Sequence, residues 1–347
     1  MTEALVVDDS HFMRTVISDI LEDGGVDVVG TAENGARALD AVTDVQPDVI
    51  TMDVEMPEMD GIEATAEIMR EQPTPILMVS ALTTEDADAT LEAMEKGAID
   101  TFAKPGGTIS TELSGHSEEL VAAVERVASA DPTAGHDVEM EPASPPDATT
   151  SEYANNPTLL IGASTGGPNV VESILASLPA EADFRVLIVQ HMPDQFTSRF
   201  ADRLDAASQY DITEAEDGSR IGGGEGLVAR GDYHMRVSGY SNGRLRVRLD
   251  QSERLHSVRP AIDVTFKSAA ERVTDPLVSV VLTGMGSDGA DGVRAVKDAG
   301  GATLAQNEAT SAVFGIPERA IETGCVDDVL PVDQLTEAIA DSIRRTT

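Results

Sequence analysis

Gly162-Ala163-Ser164-Thr165-Gly166-Gly167 follows the apolar residues 158–161 and puts a serine hydroxyl where a buried strand should end and a helix begin. A serine at such a turn can act as a nucleophile. The strand is rigid, glycine permits the turn, and the first N–H groups of the next helix can hold the oxyanion of an acyl-transfer intermediate. A serine nucleophile also needs a base, and the base needs a group to orient it. Gln190-His191-Met192-Pro193 follows a second apolar run, 185–189, and Thr283-Gly284-Met285-Gly286-Ser287-Asp288-Gly289 follows a third, 277–282. If these strands are neighbours, their carboxyl ends bring Ser164, His191 and Asp288 together. His191 would accept the serine proton and Asp288 would hold the imidazole, with the Thr165 and Met285 N–H groups as oxyanion candidates. The chain order Ser, His, Asp differs from the Ser, Asp, His order of α/β-hydrolases, so a different fold is expected. Taken singly, each piece has a plainer reading: a phosphate-cradling or close-packed turn, a structural histidine, a carboxylate capping the helix that follows it. His234 and His256 are weaker candidates, placed where they could line the same cleft.

A second group of chemically able residues lies in the first third of the chain. Asp8 and Asp9, Asp53, Ser80 and Lys104 stand at the ends of the apolar segments 4–7, 48–52, 76–80 and 99–103. Residues 26–30 make a fifth strand, and 12–21 and 62–70 have helical periodicity, so the rhythm is doubly wound α/β with its site beyond the strand carboxyl ends. Clustered carboxylates repel unless a cation joins them, and Mg2+ suits oxygen ligands. Asp53 would then attack a phosphoryl donor, Lys104 would offset charge on the phosphoryl oxygens, and Ser80 would hydrogen-bond the product. Asp8 or Asp9 alone could equally be an acidic loop start.

Two domains suit 347 residues. The boundaries expected are 1–128 for the first, 129–157 for an acidic linker poor in apolar residues, and 158–345 for the second. In the second, residues 158–161, 185–189, 277–282 and 302–305 read as core strands and 170–178, 261–273 and 292–299 as helices, a further α/β parallel sheet. Residues 210–249, glycine-rich and then alternating, read as a β-hairpin excursion beside that sheet.

The formal net charge is −38, which opposes nucleic acid and anionic membranes as partners. Such acidity is tolerable where salt screens it, so a salt-rich cytoplasm is the expected setting. Cys325 is the single cysteine, the start lacks an export-type segment, and no apolar run is long enough to span a bilayer; a cytoplasmic protein without membrane insertion is expected.

Val6-Val7-Asp8-Asp9-Ser10, Met52-Asp53-Val54-Glu55-Met56-Pro57-Glu58-Met59-Asp60-Gly61, Ser80-Ala81 and Lys104-Pro105 resemble the response-regulator receiver family, a flavodoxin-like fold. The resemblance implies that Asp53 accepts phosphate from a histidine kinase. It also implies that Mg2+ is bound by Asp8, Asp9, Asp53 and the Val54 carbonyl, that Ser80 and Lys104 complete the switch, and that Lys104-Pro105 is cis. The second domain resembles the chemotaxis receptor methylesterase family in residues 161–167, 189–193, 231–235, 257–263 and 282–289. That resemblance implies hydrolysis of glutamyl γ-methyl esters on methyl-accepting chemotaxis receptors, with methanol released, no cofactor for the hydrolysis, and deamidation of receptor glutamines as a companion activity. It assigns Ser164 as nucleophile, His191 as base and Asp288 as orienting carboxylate, and a halophilic archaeon is the source that residue usage suggests. Arg230, where the family commonly has proline, and Ser311, where it commonly has cysteine, are departures that remove no catalytic group. The competing readings are a noncatalytic receiver adaptor and a serine hydrolase with another substrate.

Overall fold

The computed structural model describes residues 1–81, 84–104, 116–134 and 153–344, and the chain divides into two compact units, Met1–Thr133 and Ala134–Thr347. The cut falls inside the stretch expected to be linker.

The first unit is a five-stranded parallel sheet in the order β2-β1-β3-β4-β5, with β1 Glu3–Val7, β2 Asp27–Ala32, β3 Val49–Met52, β4 Ile76–Ala81 and β5 Asp100–Lys104. This is the flavodoxin-like order, whose switch point lies between β1 and β3. Helices α1 His11–Asp23, α2 Gly35–Val45, α3 Gly61–Glu71, α4 Thr84–Glu95 and α5 Ser117–Ala128 alternate with the strands. Starts are set locally: Ser10, Asn34 and Asp60 each accept from N–H groups of the helix they cap. Strand β3 is buried throughout and β1 in all but its first residue, as expected of parallel strands covered on both faces. Lys104-Pro105, expected to be cis, lies outside the described residues.

The second unit is built on a seven-stranded parallel sheet, β15-β14-β13-β6-β7-β10-β8. Its three central strands are β13 Leu277–Val281, β6 Thr158–Ala163 and β7 Arg185–Gln190, fully buried and in direct register. One core cluster, around Phe184, Phe200 and Leu204, covers one face, and a second, around Phe266, Ile262 and Val293, covers the other. Helices α6 Gly167–Ser177, α7 Asp194–Ala207, α8 Ile262–Arg272, α9 Ala290–Asp298, α10 Gly315–Glu322 and α11 Val332–Asp341 complete the layers, with β14 Ala302–Gln306 and β15 Asp328–Leu330 at one edge.

The excursion read from residues 210–249 is only partly separate. β8 Asp211–Glu214 and β10 Glu225–Val228 join the main sheet as parallel strands. β9 Arg220–Ile221, β11 His234–Ser241 and β12 Arg244–Asp250 form a second, antiparallel sheet in the order β11-β12-β9. The reason is visible in burial: Gly226, Leu227 and Val228 are covered on both faces, whereas β12 alternates exposed arginine with buried Leu245 and Val247.

Candidate active site

Ser164, His191 and the Thr283–Asp288 loop leave the carboxyl ends of β6, β7 and β13, and β6 is hydrogen-bonded to both neighbours. Ser164 is pinned through its main chain: its N–H donates to Thr283 O (3.0 Å), and its carbonyl accepts from Gly167 N (2.8 Å) and Gln190 Nε2 (2.7 Å). Gln190 Nε2 also reaches His191 O (3.2 Å), so one carboxamide clasps the main chains of Ser164 and His191. Gly166 turns at φ +74°, where a side chain would be strained and would also meet Ala312 Cβ at 2.7 Å. Gly284 lies so close that a methyl there would stand 2.6 Å from Ser164 Cβ. Thr283 Oγ1 donates to Thr165 O (2.9 Å) and accepts from Val313 N (3.0 Å), fastening the nucleophile turn to the 311–314 segment. Thr165 is buried, and Met285 is 55% exposed.

His191 Nε2 meets Asp288 Oδ2 at 2.9 Å, with Asp288 2% exposed. Nδ1 is therefore the ring nitrogen that does not face Asp288, and no hydrogen bond joins Ser164 Oγ to His191 among the described residues. A serine–base contact that is loose without substrate and tightens in the reacting complex is ordinary. Asp288 accepts as well from Ile262 N (2.6 Å) and Asp263 N (2.9 Å), the first N–H groups of α8. Burial pushes its pKa up, but the His191 bond and these two N–H groups outweigh burial and hold it below the usual carboxylate range. Asp288 thus caps a helix that precedes it in sequence, not the one that follows.

The following helix, α9, is capped in return. Asp263 Oδ1, in the first turn of α8, accepts from Gly289 N (3.1 Å) and Gly292 N (2.6 Å). His256 Nε2 lies 3.0 Å from Asp263 Oδ2 and 3.9 Å from Asp288 Oδ1, and Ser287 Oγ is 3.4 Å from His256 Nδ1. His256 therefore belongs to this carboxylate pair. His234 is buried, with Nε2 3.0 Å from Glu253 O, and serves the 250–254 loop. Sequence reasoning singled out His256 but missed Asp263 as a reciprocal cap; the available signal was a carboxylate at the start of the helix expected over 261–273.

In the first unit, Lys104 Nζ bridges Asp8 Oδ2 (2.9 Å) and Asp53 Oδ2 (2.8 Å), and oxygen atoms of Asp8, Asp9 and Asp53 lie within 4.8 Å of one another. Ser80 is buried, its hydroxyl 2.9 Å from Thr90 Oγ1. The Val54 carbonyl already accepts from Gly61 N (2.9 Å), which leaves its second lone pair. Burial pushes the Asp53 carboxyl up to about 6 against the pull of Lys104. Three carboxylates facing one ammonium, all hard oxygen donors, fit a divalent cation such as Mg2+. Because the folded-state pKa of Asp53 is raised, its ionisation weakens the fold as pH climbs from about 4 to about 6 and the loss persists above. Asp53→Asn is accordingly expected to stabilise the receiver-like unit by about 1–2 kcal/mol at pH 7.5 without divalent ions, and by nothing at pH 4. Calorimetry of the full chain at the two pH values would show it; an unchanged transition at pH 7.5 would refute the crowding of charge.

The CheB methylesterase family matches residues 159–339, and the response-regulator receiver domain matches residues 4–111. The chain belongs to the CheB methylesterase family. It is 56% identical over 98% of its length to a protein-glutamate methylesterase/protein-glutamine glutaminase of Haloarcula marismortui, covering 97% of that protein. It is 56% identical over 99% of its length to the protein of that description in Natronomonas pharaonis, covering 98% of it. Both relatives come from halophilic archaea, in keeping with the acidity. Among solved structures, the Thermotoga maritima CheB methylesterase catalytic domain superposes with a TM-score of 0.51 at 39% identity, spanning 54% of this chain and 98% of that one. Membership of this family gives the chain the α/β architecture of a receiver joined to a hydrolase. Among the described residues, no helix is long and apolar enough to cross a membrane.

Proposed function

We propose that this protein is a cytoplasmic, phosphorylation-activated protein-glutamate methylesterase of chemotaxis receptors, and a glutaminase on selected receptor glutamines. The observation that carries the reading is the His191–Asp288 pair at 2.9 Å, on strand ends flanking the Ser164 turn. Residues 158–345 form the catalytic domain, 1–128 the receiver and 129–157 the linker. Ser164 Oγ attacks the ester carbonyl while His191 Nδ1 takes its proton, and the oxyanion is met by the Thr165 and Met285 N–H groups. His191 returns the proton to the departing methoxide, methanol leaves, and water repeats the sequence to free the glutamate and Ser164. Asp288 remains ionised and steadies the imidazolium.

In the receiver, Asp53 is the residue phosphorylated by a chemotaxis histidine kinase. Asp8, Asp9, Asp53 and the Val54 carbonyl would hold Mg2+, whose chemistry is to neutralise charge on the phosphoryl oxygens. Lys104, already on Asp8 and Asp53, would shift to the phosphoryl group, and Ser80 would donate to it. The resulting population shift raises hydrolysis by the catalytic domain.

The test is methanol release from methylated receptor fragments in molar KCl with Mg2+, with and without a small phosphodonor. Release stimulated by the donor, and no stimulation in Asp53→Asn, is the expected result. Donor stimulation that survives in the variant would defeat the switch assignment, and no release from correctly folded protein would turn the reading to a receptor-binding adaptor.

A further inference from the structure

The chain carries 62 acidic against 24 basic residues, yet residues 220–259 hold eight arginines, no lysine and only four acids. Five of those arginines share one face of the antiparallel sheet. In β12, Leu245 and Val247 enter the core and Arg244, Arg246 and Arg248 point outward. Register sets Arg248 opposite Arg236 of β11, and Arg246 opposite Arg220 of β9. Like charges directly opposite one another destabilise a sheet. Asp250 meets Arg236 at 2.7 Å and Glu225 meets Arg244 at 2.9 Å, but Arg220, Arg246 and Arg248 are exposed and have no ion pair among the described residues. In so acidic a chain, three exposed arginines without carboxylate partners, in register with other arginines, form a local basic surface.

The face is tied to the catalytic centre by two routes. β11 is fixed to α8 by Val237 N to Ser268 Oγ (2.9 Å), Thr265 Oγ1 to Met235 O (2.7 Å) and Arg272 Nε to Val237 O (2.9 Å), and the start of α8 holds Asp288. β12 runs directly into residues 251–259, whose His256 lies 3.9 Å from Asp288. From Arg244 to Arg248 a strand covers about 14 Å, and three strands span about 10 Å, the footprint of two to three turns of one helix.

We infer that this arginine face, which runs from the Gly243 turn beside Arg185 at the amino end of β7 toward the 251–259 loop, docks a glutamate-bearing helical segment of the protein whose ester is hydrolysed. The inference rests on the esterase reading above. Charge complementarity selects the occupant: an acidic helix of that footprint meets five arginines against two carboxylates, Glu225 and Asp250, that are already paired, whereas a nucleic acid strand would run on over a surface of like charge. Arginine suits the task in concentrated salt. With a screening length of about 3 Å at 1 M, only contact-range pairs survive, and the guanidinium makes two parallel bonds to a carboxylate.

The experiment uses full-length protein with Ser164→Ala, so that no turnover intervenes, and a labelled helical receptor fragment with glutamate at its modification positions. Anisotropy should show Arg246→Glu/Arg248→Glu binding at least about tenfold more weakly than the parent, and Arg246→Ala/Arg248→Ala binding about threefold more weakly. With Ser164 restored, turnover of methylated fragment should show the loss in KM. Labelling of Ser164 by a small acyl probe monitors the fold; if the charge reversal fails to label, the alanine pair is read instead. Unchanged affinity in both pairs, tighter binding in either, no binding of the fragment by the parent, or equal arginine-dependent binding of a DNA oligonucleotide would each overturn the inference. Arginine-dependent binding together with no methanol release by the protein that retains Ser164 would leave the docking face standing and sink the esterase reading.

Discussion

Ser164→Ala will lower methanol release from methylated receptor fragments by at least about 10^4-fold, with Asp53 phosphorylation untouched. The size follows from what the hydroxyl does: without it there is no acyl-enzyme, and the remaining N–H groups can assist only direct attack by water. The fold should hardly notice. Ser164 is tied in through its own N–H and carbonyl, which alanine retains, and among the described residues its hydroxyl has no hydrogen bond to lose. Pre-steady-state quench experiments should also lose the methanol burst. A variant that releases methanol within tenfold of the parent would move the nucleophile elsewhere.

Asp288→Asn is expected to combine two losses that Ser164→Ala separates. Activity should fall by about 10^3–10^4-fold, because an amide can turn a donor toward His191 and stabilises imidazolium poorly. Stability should fall by about 2–4 kcal/mol, because a buried acceptor of three hydrogen bonds becomes half donor. A lowered carboxylate pKa means that this stabilisation is present above the unfolded-state value, near 4, and fades as pH drops through the folded one. The variant's deficit should therefore be full at pH 7 and shrink in acid. Paired denaturation and kinetics decide the matter: activity lost without stability would detach Asp288 from α8, and stability lost without activity would remove it from the catalytic group.

The central strands of both units could be read directly, because β1, β3, β6, β7 and β13 are apolar runs ending abruptly at glycine or a polar residue. The places of Ser164, His191 and Asp288 followed from the strand ends, and the family resemblance implied the same roles for them. β8 and β10 were not recognised as members of the main sheet: β8 is four residues long and alternates in burial, and β10 owes its place to neighbours far off in the chain. The exchange of caps between Asp263 and Asp288 escaped for a related reason. A carboxylate facing an N–H group 25 residues away has no local pattern to announce it. The arginine rows were visible as period-two alternation in β12, but their partners Arg220 and Arg236 emerge only from strand register.

The exchanged caps of α8 and α9 have a consequence for how such an enzyme can adapt. The carboxylate that orients His191 also closes the start of one helix, and that helix returns the service to its neighbour. Loosening the catalytic group to quicken turnover in the cold would fray both helices, and stiffening them for heat would stiffen the catalytic group as well. Substitutions at exposed Met285 or on the outer face of the sheet beyond α8 leave those shared bonds in place, and tuning for temperature has room there without loosening either helix.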